Sequence, residues 1–203
     1  DVGDLGAKQK ALVASMLLEP YDQSSKNKEP APALCVFQNA AVDVLGNVCT
    51  STKKCLQAKT CNSDYGFYRP GNRHEVVYSI AEFWGEGFFH FLCENFVRLF
   101  VGLDWLKSPG RGMGTMIHIR EKTPFAMQAL RAVGIPSSRV LTGSVSAKAM
   151  IIPEPVGCGS PAKNLAELAR VSVLSNVLSS FNQLSPQAPA QLALTVIQRT
   201  GSR

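Results

Sequence analysis

From Glu75 onward, β-rich runs alternate with stretches of helical periodicity, and that alternation constrains the fold more than any other feature of the chain. "EVVYSIAEF" reads as a strand ending near Phe83, and "GEGFFHFLCENFVRLFVGL" as a helix of about four or five turns. "TMIHIRE" is the next strand. "TPFAMQALRAVG" is a helix with Thr123 as N-cap, Pro124 in its first turn and Gly134 at its end. "SRVLTG" and "AKAMIIPEP" read as two further strands, "SPAKNLAELARVSVLSNVLSSF" as a helix and "QLALTVIQR" as a last strand. Strands and helices in this order predict the α/β class, with a parallel sheet covered on both faces.

The first part of the chain has a different texture. Residues 5–18 read as a short amphipathic helix, and "PYDQSSKNKEPAPA" as a linker, so residues 1–32 are set apart from the domain at 33–203. Within 33–61, "ALCVF" and "AVDVL" read as short strands with turn signals between them, in a segment holding Cys35, Cys49, Cys55 and Cys61. Intervening stretches of 13, 5 and 5 residues lack the paired knuckles of a structural zinc site. These four cysteines are therefore disulfide candidates in an oxidising compartment, with burial as small hydrophobes the plainer alternative. No metal site is expected.

With 203 residues, 45% hydrophobic content and a formal charge of +6, the chain is neither disordered nor fibrous. Its basic residues are scattered rather than interleaved with aromatics on one face, which argues against nucleic acid as a partner. The apolar run from Ala11 to Leu18 is too short to cross a bilayer, and no secretory leader is visible. A start at Asp1 and a stop in "VIQRTGSR" read as the edges of an internal piece of a longer protein.

Two constellations carry chemistry. Gly85 and Gly87 lie in a turn between a strand and a helix, the place where parallel sheets bind ligands, although "GEG" is not a dinucleotide fingerprint. On the helix, His90, Glu94 and Arg98 are spaced by four and share one stripe. Spacing alone fits a solvated strip of i,i+4 pairs, but Phe88, Phe89, Phe91, Leu92, Phe96, Val97, Leu99 and Phe100 occupy nearly every other direction, which favours a cleft wall. The second constellation is Arg199, Ser202 and Arg203, at the carboxyl end of the last predicted strand. Two guanidiniums with a Gly-Ser turn suit a diphosphate, and a basic loop heading for solvent is the plain alternative.

"EFWGEGFFHFLCENFVRLF" resembles the segment of glycosyltransferase family 61 in which a histidine is followed, after three residues, by a glutamate and an aliphatic helix. "VIQRTGSR" resembles that family's R-x-x-S-R segment, "LCVFQNAAVD" its C-x-F-x-N stretch, and "GSVSAKAMIIPEP" sits where its members place a strand pair. The resemblance spans roughly residues 33 to 203 and rests on the order of these motifs. It implies the N-terminal half of a GT-B glycosyltransferase, a Rossmann-like parallel sheet, reaching the opening of the second half and truncated there. It also implies an endoplasmic reticulum or Golgi lumenal enzyme, membrane-anchored outside this piece. Such an enzyme transfers N-acetylglucosamine, xylose or arabinose from a nucleotide sugar, with inversion, to a glycoprotein or polysaccharide acceptor. Carried over residue by residue, His90 and Glu94 would line the catalytic cleft, while Arg199, Ser202 and Arg203 would face the donor's diphosphate. No cofactor is implied beyond the donor substrate. The competing expectation is a non-catalytic, disulfide-stabilised lumenal interaction domain.

Overall fold

The computed structural model describes residues 34–50, 55–56, 72–154 and 165–173. The predicted helix at 5–18, the linker and the last predicted strand lie outside them. Among the described residues, seven strands form one sheet: β1 (Leu34–Val42), β2 (Val48–Cys49), β3 (Cys55–Leu56), β4 (Asn72–Ser79), β5 (Met116–His118), β6 (Val140–Leu141) and β7 (Val145–Pro153), in the order β3-β2-β1-β7-β4-β5-β6. The class is α/β, as the alternation predicts, but the sheet is mixed. Strands β7, β4, β5 and β6 are mutually parallel, whereas β1, β2 and β3 add antiparallel pairs on the other side of β7. The cause is local: residues 43–47 join β1 to β2 through a loop too short for the crossover that a parallel neighbour requires. Asp43 fixes that loop. Its Oδ1 accepts from the Leu45 and Asn47 backbone N–H groups, both at 2.9 Å.

The two short strands expected in "ALCVF" and "AVDVL" are corrected to one. The ladder to β7 runs from Leu34 opposite Pro153 to Val42 opposite Val145 without changing register. Where a turn was expected, Asn39 takes a left-handed φ of 48°, and its Oδ1 accepts from Arg73 Nη2 at 2.9 Å. The strand changes faces there. Phe37 before it and Ala40 and Val42 after it all pack in one cluster, although strict alternation would send Phe37 to the opposite side.

The helical predictions hold better. The helix α1 runs through Phe88–His90, a π-helical stretch Phe91–Phe96, and Val97–Leu99; α2 is Leu103–Lys107 and α3 is Pro124–Ala132. Thr123 caps α3 by accepting the Ala126 N–H at 3.3 Å, and Gly134 follows with φ 84°. A fourth helix, α4, covers 165–173 within the longer helical prediction. The "GRGMG" stretch is a loop, held by Arg139, whose guanidinium donates to the carbonyls of Thr115, Leu106 and Gly112 at 2.9 to 3.0 Å.

Among the described residues, helices cover one face of the sheet. Tyr78, Ile117, Val140 and Ile151 face one way and pack with Phe91, Leu99, Leu103, Leu130 and Leu165, so the four described helices lie on that side. On the opposite side, Val42, Val48, Val77, Val145, Ala147 and Met150 form a second cluster made, among the described residues, from strands alone. No described helix is long and apolar enough to cross a membrane.

Candidate functional site

The parallel strands β4, β5 and β6 end side by side, and the chain leaving β4 turns at once into α1. That turn, 82–87, is tied by Gly85 N–H to Glu82 O at 3.0 Å and Gly87 N–H to Trp84 O at 2.9 Å. Gly85 answers why a glycine stands among aromatics: a Cβ there would run into the Asn95 carboxamide and crowd Arg120 Cβ. Gly87 precedes the first helical residue and accepts the Phe91 N–H at 2.8 Å. Asn95 is wholly buried, and neither end of its carboxamide has a partner. It lies in the π-helical stretch, a feature that recurs at functional sites.

The predicted stripe divides in two. His90 Nδ1 lies 3.0 Å from Glu94 Oε2, with the His90 side chain 31% exposed and that of Glu94 2% exposed. Arg98 does not continue the row. The wider π turn lies between, and the Arg98 guanidinium is buried, with Nη1 donating to Glu82 Oε1 at 2.6 Å and Nη2 to Pro153 O at 2.7 Å. Its own carbonyl accepts the Tyr78 hydroxyl at 3.0 Å. A solvated strip is thereby ruled out for Glu94 and Arg98.

Glu82 completes this network, and sequence reading missed it. Burial pushes its carboxyl up to about 7; Arg98 and His90 oppose that rise, and Glu94 adds to it. Glu82 therefore shares one electrostatic environment with His90, Glu94 and Arg98. It stands 16 residues before Arg98, outside any helical periodicity, and its one sequence signal is its place between a strand and a glycine turn.

A second histidine sits at the end of β5. His118 Nε2 lies 2.8 Å from Gly143 O, which can only accept, so Nε2 carries the proton and Nδ1 accepts from Ser79 Oγ, also at 2.8 Å. Both residues are buried, and desolvation lowers the His118 pKa to about 4, keeping the ring neutral. The site's outer rim is the Glu86–Arg120 ion pair at 3.2 Å, with the Arg120 guanidinium over the Phe83 ring.

Of the sequence-predicted site residues, His90 and Glu94 are brought together, whereas Arg199, Ser202 and Arg203 lie outside the described residues. Among the disulfide candidates, Cys49 is disulfide-bonded and Cys35 carries a free, exposed thiol. The side chain of Cys55, and all of Cys61, fall outside what is described. Among the described residues, no group of three or more His, Cys, Asp or Glu side chains is placed to hold a metal. Compared with family models, with curated proteins and with solved structures, the chain matches none.

Proposed function

We infer that this chain is the N-terminal half of an inverting GT-B glycosyltransferase, with His90 as the base that takes the acceptor's proton. The observation that carries the reading is the His90–Glu94 pair: a partly exposed imidazole oriented by a buried carboxylate at the carboxyl end of a parallel strand. With Nδ1–H donating to Glu94, the lone pair of Nε2 is left to accept a proton. An acceptor hydroxyl gives its proton to Nε2 as its oxygen bonds to the anomeric carbon of the donor sugar. The bond from that carbon to the phosphate oxygen breaks, and the electron pair leaves with the nucleoside diphosphate. Arg199, Ser202 and Arg203 are assigned to that leaving charge through the resemblance to family 61 alone. The donor is a nucleotide sugar of the N-acetylglucosamine, xylose or arabinose class. The acceptor is a glycoprotein or polysaccharide, and the full-length protein acts in the endoplasmic reticulum or Golgi lumen from a membrane anchor outside this piece. The disulfide at Cys49 supports an oxidising compartment, and it equally favours a second reading, a lumenal interaction domain without catalysis.

The test is transfer by the full-length protein from each of the three donor classes. His90→Ala and Glu94→Gln should each lower kcat/KM by about tenfold or more, or about 1.4 kcal/mol of transition-state stabilisation. The thermal midpoint of His90→Ala should barely move. Full activity in both folded variants removes the assignment, and absence of transfer from every donor favours the interaction domain.

A further inference from the structure

Next to the His90–Glu94 pair the surface is aromatic. Trp84 is 44% exposed, Phe88 62% and Phe89 52%, which is unusual for such large rings in a chain that buries Phe91, Phe96 and Phe100 further along. The exposed rings are held in place. The Trp84 indole stacks on the His90 ring, with centroids 6.0 Å apart at 29°, and Phe83 meets the indole edge-on at 4.7 Å. Phe89 meets His90 edge-on at 5.6 Å. A molecule that reaches His90 therefore lies beside Trp84.

The polar groups nearby narrow the choice of occupant. Glu86 pairs with Arg120, and the Glu94 carboxylate is buried behind His90, so the exposed patch offers hydrogen-bonding groups without a cluster of one charge. An anionic membrane surface would call for a cluster of unpaired Lys or Arg here; Arg120 is paired with Glu86, and the exposed Lys122 stands next to the exposed Glu121. A ring that is apolar on one face and hydroxylated around its edge matches both halves of the surface: its C–H face on the indole and its hydroxyls toward His90 and the ion pair. We propose that Trp84, flanked by Phe89 and His90, is a stacking platform for a neutral pyranose ring of the glycan acceptor. This rests on the catalytic reading for the identity of the reacting hydroxyl, whereas the platform itself is a binding site that needs no turnover.

The experiment uses the 203-residue chain carrying Trp105→Phe, so that emission reports Trp84 alone. It is titrated with xylo-oligosaccharides, arabino-oligosaccharides and chitobiose, and separately with phosphatidylserine-containing vesicles. At least one sugar should shift the emission saturably. Isothermal titration of the same sugar should show about tenfold weaker binding in Trp84→Ala and near-normal binding in Trp84→Phe, which keeps an aromatic face. The platform is overturned by a response to vesicles alone, by no response to any sugar, or by binding that Trp84→Ala leaves intact. Sugar binding without transfer by the full-length protein upholds the platform and removes the catalytic reading. Transfer whose acceptor KM is unchanged by Trp84→Ala does the reverse.

Discussion

His90–Glu94 and Glu82–Arg98 are both acid–base pairs on the same end of the sheet, and each has at least one partner on α1, yet they are built for different ends. The first has one partner at the surface, the second has both inside. Ser79–His118 belongs with the second, sealed at the end of β5. Access separates them. A group that must exchange a proton with a ligand has to be reachable, whereas a group that fixes where a helix meets a strand does so best when water is excluded and its alternatives are costly. Arg98 holds three places together: the turn after β4 through Glu82, the end of β7 through Pro153, and β4 itself through Tyr78.

The sharpest way to break this comparison is to open the sealed pair. At about pH 8, above the Glu82 value of about 7, Arg98→Met strands the Glu82 carboxylate in the interior, and the unfolding free energy in urea should fall by about 3–5 kcal/mol. Adding Glu82→Gln should return much of that loss, since a neutral amide no longer needs the guanidinium. An equal loss in the single and double variants would mean that Arg98 acts by packing and that the sealed pair is not a unit.

A smaller effect separates the two buried groups by pH. The Glu82 carboxyl is raised from 4.5 to about 7, so between those values the folded chain keeps a proton that the unfolded chain releases. Its contribution is present below about 4.5 and fades as pH rises toward 7. His118 runs the other way: lowered from 6.5 to about 4, it is neutral in the fold where the unfolded ring is charged. Its contribution is present above 6.5 and fades as pH falls toward 4. Stability measured from pH 4.5 to 6.5 should therefore rise more steeply with pH in Glu82→Gln than in the parent protein, and less steeply in His118→Asn. Each difference is bounded by about 1.4 kcal/mol per pH unit. Parallel curves in all three proteins would sink the assignment of these two groups as the buried titrating ones.

The smallest effect tests exposure itself. Lys148 Nζ meets Glu75 Oε1 at 2.6 Å, as short as the sealed pair, but both side chains are largely exposed. Lys148→Ala should change stability by less than about 0.5 kcal/mol. A loss approaching that of Arg98→Met would show that distance, not exclusion of water, sets the value of these pairs.

The sequence by itself determined the α/β class, the span of α3 with its Thr123 cap, the strands β4, β5 and β7, and the proximity of His90 to Glu94. Each follows from contacts within a few residues or from a period of two or 3.6, which local sterics and patterning specify. Only the tertiary structure decided that β7 lies between β1 and β4, that the described helices share one face, and that Arg98 belongs to Glu82 instead of Glu94. Strand neighbours are chosen by the burial of whole faces, and an arginine's partner by which carboxylate the fold brings within reach after a π turn has rotated it away. The role of Glu82 was hidden for the same reason, because a carboxylate's environment is made by residues far along the chain, and sequence spacing carries no record of them.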